Sequence, residues 1–317
     1  MFYSLLKGYA RLAIKIYCPR IIINRPEVLK AHGPLLLAAN HPNSFLDGMI
    51  LTTLFDQPVH SLARGDAFRQ PRTGRLLRWL RLLPVYRTSE GVHNLEHNYT
   101  TFAACRQTFG AGGIVLIFSE GRCENEWHLR PLKKGTARLA LTSWHQGIPL
   151  QVLPTAFNYS SFGLFGKELH LYFGTPLDPQ TINNEEGEGK KLLAFNNALN
   201  SQLRQLVYEL DPNDKAAIHA KFPARKDVGT YLLLPIAALG WLLHAPLYYS
   251  CRAGALRFRS TGHYDSVLVT LLLLFYPIYL LLLLILSCLF FSWWGFLTLL
   301  LPLTARACVL IKRAFNR

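Results

Sequence analysis

His41 and Asp47 lie in the run Asn40-His41-Pro42-Asn43-Ser44-Phe45-Leu46-Asp47, which follows one apolar stretch and opens another. An imidazole held by a carboxylate is a general base: the carboxylate fixes the ring tautomer and stabilises the imidazolium that forms. Such a base can deprotonate an alcohol that attacks a carbonyl. No serine or cysteine nucleophile is then needed, because the hydroxyl can belong to the substrate. A second run, Leu83-Pro84-Val85-Tyr86-Arg87, is a strand pattern ending in a guanidinium that can fork onto a phosphate. A third, from Ile114 to Phe118 and on through Ser119, Glu120, Gly121 and Arg122, delivers a carboxylate to a glycine turn where backbone can approach a ligand closely. Arg122, Lys133 and Lys134 make that turn cationic and fit for a phosphate or pyrophosphate. A fourth, 148–154, is a strand framed by prolines. Taken singly, each has an ordinary reading: a structural hydrogen bond, a surface arginine, a turn with lysines, an edge strand.

The elements that must position these groups alternate. Short apolar runs at 35–39, 59–64, 82–86, 114–118, 150–157 and 169–173 predict strands; helical patterns fall at 45–55, 68–80, 95–109, 135–145 and 189–210. The alternation predicts an α/β domain, a mixed sheet with crossover helices, over 25–228. Residues 1–17, within an N-terminal segment 1–24, set Leu5, Leu6, Tyr9, Leu12 and Ile16 against Lys7, Arg11 and Lys15. That is the pattern of an amphipathic helix at a membrane interface.

The order and spacing of the four runs resemble the phospholipid/glycerol acyltransferase family, over about residues 25–180. That family's motifs are Asn-His, a spacer and Asp; an arginine after an apolar strand; Phe-Pro-Glu-Gly-(Thr/Gly)-(Arg/Ser) followed by Phe-Lys-x-Gly; and a Val-Pro-x-x-Pro-like strand. The resemblance implies an acyltransferase with His41 as base and Asp47 as its partner. It also implies that Arg87, Glu120, Gly121 and Arg122, with Lys133 nearby, serve the acceptor's phosphate. The donor implied is acyl-CoA or acyl carrier protein, used as substrate, with no cofactor or metal. The acceptor is glycerol-3-phosphate or 1-acylglycerol-3-phosphate. The chain departs from the pattern in three places. Five residues, not four, separate His41 from Asp47; Ser119 stands for proline; and Pro131-Leu132-Lys133-Lys134-Gly135 replaces Phe-Lys-x-Gly. These variants are similar to a branch acting on glycerol-3-phosphate or dihydroxyacetone phosphate that carries C-terminal hydrophobic segments. Two other classes compete: a non-catalytic protein binding anionic lipid, which would have no reason to retain both His41 and Asp47, and a lipid hydrolase, whose serine form lacks its G-x-S-x-G elbow here.

Composition points to a membrane partner. The 317 residues carry a formal charge of +15, and half are hydrophobic. Beyond residue 228 lie seven of the 34 Lys and Arg but one acid, Asp265. Basic residues interleaved with leucines, without a recognised motif, argue against nucleic acid. The uncharged stretch 229–251 can span a bilayer, and Pro235 and Pro246 predict a bent or re-entrant form; 267–303 is too long for one span and predicts a hairpin turning near 292–295. Basic residues flank all three junctions, which predicts that the flanks and the catalytic domain share the cytoplasmic face. Six scattered cysteines predict neither disulfides nor zinc.

Overall fold

The computed structural model describes residues 2–86, 96–182, 185–223 and 228–315. Seven strands, β1 (Arg20–Ile23), β2 (Leu35–Ala39), β3 (Val59–Arg64), β4 (Leu82–Val85), β5 (Ile114–Phe118), β6 (Gln151–Tyr159) and β7 (Glu168–Phe173), form one sheet in the order β1-β7-β6-β2-β5-β3-β4. β2 is parallel to both β5 and β6, and β3 to both β4 and β5. An antiparallel bridge joins Val152 to Leu177. The architecture is the expected mixed α/β sheet. β1 was outside the sequence expectation, because four half-buried residues after a proline carry too short a pattern to read.

Successive residues of a strand face opposite sides. Leu36, Ala38, Val115, Ile117, Val152 and Ala156 belong to one core with Cys105 and Phe109 of α4 (His97–Gly110), Leu139 and Ala140 of α5 (Lys134–His145), and Phe195 and Leu199 of α6 (Glu188–Leu206). Leu116 faces the other way, toward α2 (Phe45–Leu54). There a Cβ on Gly48 would sit 3.6 Å from Ser61 Oγ and 3.9 Å from Leu116 Cδ2. Coverage on both faces is why β2 and β5 read as unbroken apolar runs. The helix expected over 68–80 is shorter: a 3₁₀ turn, Gly65–Phe68, precedes α3 (Pro71–Trp79). Pro71 opens it because its fixed φ suits a first turn and its missing N–H costs nothing there.

Contacts group the chain into two compact units. One unit comprises Met1–Lys7, Ile22–Asn158 and His170–Leu210; the other Gly8–Ile21, Tyr159–Leu169 and Asp211–Arg317. In the second unit the reason is charge. Lys167 is fully buried and ion-pairs with Asp265, while Glu168 accepts from both Arg20 and Arg313. A buried charge must find its opposite, wherever in the sequence that lies. The C-terminal half of α1 (Phe2–Tyr17) buries Ala10, Ile14 and Tyr17 in this unit and leaves Leu12 exposed. Only part of the expected interfacial face is therefore open.

Among the described residues, three apolar helical segments are long enough to cross a membrane: Gly229–Leu256, Tyr264–Phe290 and Gly295–Phe315. Their helices are α8 (Leu234–Leu256), α9 (Tyr264–Phe291) and α10 (Leu301–Phe315), after the short α7 (Lys215–Lys221). The hairpin expected within 267–303 is longer than that. Its second arm runs on to Phe315 and takes in Arg306, Lys312 and Arg313, since Arg313 has Glu168 as partner. Gly166 lies against Val309, and Lys167 pairs with Asp265. Cys308 Sγ donates to the carbonyl of Ala237 early in α8, and Leu268 packs on Cys251 and Ala255 late in it. Pro246 stands inside α8, which is helical from Leu234 to Leu256.

Candidate active site

β2 and β5 run parallel, so their carboxyl ends share one edge of the sheet, where ligands of open α/β folds bind. The register sets Ala39 opposite Phe118. Two residues beyond each strand, His41 and Glu120 leave the sheet side by side. The His41 ring stacks on Phe118 with centroids 3.6 Å apart, and its backbone N–H donates to Glu120 Oε2 at 3.0 Å.

His41 Nδ1 lies 3.0 Å from Asp47 Oδ2. Asp47 is fully buried in the first turn of α2, and the same oxygen accepts the Asn43 N–H at 2.9 Å. The imidazole is therefore oriented by a carboxylate that is itself held from below. The five-residue spacer is accommodated at Ser44, whose φ is 52°. That left-handed residue reverses the chain between the imidazole and the helix, and its N–H is taken by Cys123 Sγ at 2.9 Å. Asn40, also buried, pairs both ways with the Phe157 backbone, accepting its N–H at 2.8 Å and donating to its carbonyl at 3.1 Å. It fixes the start of the turn to β6.

A second loop, from Ser119 to Lys133, closes against the first. Glu124 N–H donates to the His41 carbonyl at 3.2 Å, and Asn125 Nδ2 to the Pro42 carbonyl at 2.7 Å. Glu209 accepts the Leu129 N–H at 3.0 Å and anchors the loop's far side. Cys123, Asn125 and Glu209 had no sequence signal, since each acts on backbone about 80 residues away or more. Burial first, then Asp47, push the Cys123 thiol up to about 12, which disfavours the thiolate a nucleophile needs.

Glu120, expected at the acceptor phosphate, has both oxygens on backbone amides. Oε2 takes His41 N–H and Oε1 takes Arg130 N–H at 3.1 Å. A carboxyl so placed ties the two loops together. Burial pushes its carboxyl up to about 7, against the pull of the two amides and Arg130. Between the ordinary value of 4.5 and about 7, the folded state keeps a proton that the unfolded chain has released. Stability contributed by this group is thus full below that window and is lost as pH rises through it. Glu120→Gln is expected to flatten this part of the slope, read as the unfolding midpoint against pH in detergent. An unchanged slope would mean that another group carries it.

Gly121 turns with φ +71°, and a Cβ there would meet Lys133 Cγ at 3.0 Å. The Lys133 stem thus lies over the glycine, while its N–H donates to the Ser119 carbonyl at 2.8 Å. Arg122 is exposed and pairs with Glu124, the residue that contacts the His41 carbonyl. The structure brings His41, Asp47, Glu120, Gly121, Arg122 and Lys133 to one edge. Arg87 lies outside the described residues.

Residues 20–158 match the family described as Acyltransferase. Over that stretch the chain is similar to an acyltransferase domain. The matched region contains both loops, and the enzyme class is that of acyl transfer. No curated protein matches this chain. Among solved structures it is similar to the 1-acyl-sn-glycerophosphate (LPA) acyltransferase PlsC from Thermotoga maritima, at 13% identity and a TM-score of 0.45, over 71% of this chain and 81% of that one.

Proposed function

We propose that the acyltransferase domain moves a fatty acyl group from acyl-CoA or acyl carrier protein to a hydroxyl of glycerol-3-phosphate or 1-acylglycerol-3-phosphate, in phospholipid synthesis. The observation that carries the reading is the His41–Asp47 contact at the carboxyl edge of the sheet. With Nδ1–H held by Asp47, Nε2 is the nitrogen that takes the acceptor's hydroxyl proton. The oxygen then attacks the thioester carbonyl, and a tetrahedral adduct forms. The C–S bond breaks, and the imidazolium returns its proton to the leaving sulfur. Cys123, held neutral, supports direct transfer without an acyl-enzyme.

Arg122 and Lys133, and Arg87 from the motif alone, serve the acceptor's phosphate; Glu120 positions the loop that presents them. Arg122→Ala is expected to raise the acceptor KM about tenfold, the loss of one charge-assisted contact, with kcat and the donor KM little changed. A change confined to the donor KM would move Arg122 to the thioester's side. The acceptor class is tested by offering labelled acyl thioester to the detergent-solubilised chain with glycerol-3-phosphate, 1-acylglycerol-3-phosphate, dihydroxyacetone phosphate and unphosphorylated glycerol. Preference for glycerol over the phosphorylated acceptors would overturn this part of the reading.

The same reading puts the domain on the cytoplasmic face, where the thioester is made available. A bent α8 and a hairpin of α9 and α10 return the basic flanks at 252–259 and 306–317 to that face, as positive charge prefers.

A further inference from the structure

We propose that α3 is a docking surface for the headgroups of anionic phospholipids, separate from the spanning helices and from the catalytic edge. Arg72, Arg75, Leu76 and Trp79 recur at the spacing of one helical face and line a shallow groove. All four are exposed, Leu76 to 54% and Trp79 to 41%. A surface helix ordinarily turns its leucine and tryptophan inward. Here the buried residue is Gly74, where a Cβ would stand 2.8 Å from the Phe68 carbonyl. The helix sits on its glycine and presents its large apolar side chains outward.

Arg69 and the α3 arginines Arg72, Arg75 and Arg78 fall in a stretch, 67–89, that contains no Asp or Glu. Asp66, the nearest acid before it, is taken by Arg64. Arg78 lies over the Phe68 ring, and among the described residues no carboxylate forms an ion pair with Arg69, Arg72 or Arg75. Tyr3 packs edge-on against Trp79, with Arg81 over its face, so the indole is held at the surface. Guanidinium groups alternating with an exposed indole and a leucine complement an anionic bilayer surface: the cations meet phosphate, and the apolar groups enter the headgroup layer. Among the described residues the same chain carries three apolar helical segments long enough to cross a bilayer.

The test uses the full chain in nanodiscs, with Leu76→Cys labelled by a membrane-impermeant maleimide and the modified site read by mass spectrometry. In discs with phosphatidylglycerol, labelling of residue 76 is expected to be roughly tenfold slower than in pure phosphatidylcholine discs. The difference should disappear at high salt and in the background Arg72→Glu/Arg75→Glu, which leaves the catalytic groups untouched. Acyl transfer in phosphatidylcholine discs serves as the check that each variant is folded. Equal labelling in the two lipids overturns the proposal. So does protection by added RNA or inorganic pyrophosphate in phosphatidylcholine discs.

Discussion

Replacing His41 by alanine lowers the rate of acyl transfer about 10²–10⁴-fold, the usual loss when a general base is removed. The change should be in kcat, since the imidazole's proton transfer is made in the transition state and not in substrate binding. The fold should survive it. Among the described residues the ring stacks on Phe118 and hydrogen-bonds Asp47, so its loss costs about 1 kcal/mol of stability. The backbone N–H that meets Glu120 remains in the variant. Turnover measured beside the unfolding midpoint separates the two effects. A variant that kept most of its turnover would remove His41 from the mechanism.

Asp47→Asn is the sharper test of the pair, because it preserves size and removes charge. Asp47 Oδ2 accepts from both His41 Nδ1 and Asn43 N–H. Because one oxygen meets both donors, an asparagine whose amide oxygen takes its place still holds Nδ1–H but no longer carries the negative charge that stabilises the imidazolium formed during proton transfer. The expected loss is about 10⁴-fold in kcat, as in a triad whose orienting carboxylate is neutralised. A purely structural Asp47 predicts something different: the Asn variant, nearly isosteric, would lose stability and retain turnover in the molecules that fold.

Much of this was legible in the residues. β2 and β5 announced themselves as continuous apolar runs because both of their faces are covered, and their chemistry-bearing ends followed directly. The contact between His41 and Asp47 was not guaranteed by a five-residue spacer; it depends on the left-handed Ser44, which no pattern marks. The backbone partners of Glu120 were hidden for a related reason. Sequence shows a carboxylate beside cations, but its two backbone partners, at 41 and 130, come from folding. The grouping of segments 8–21 and 159–169 with the C-terminal helices was equally hidden, because Lys167 and Asp265 are 98 residues apart and neither carries a sign of its partner.

The most direct measurement of the central claim is a product analysis with a labelled acyl thioester, using the solubilised wild-type chain and His41→Ala side by side. The account predicts a labelled ester on the phosphorylated glycerol acceptor, formed in proportion to acceptor and reduced about 10²-fold or more in the variant. Release of labelled free fatty acid at a rate indifferent to acceptor, or equal ester formation by both proteins, would contradict it.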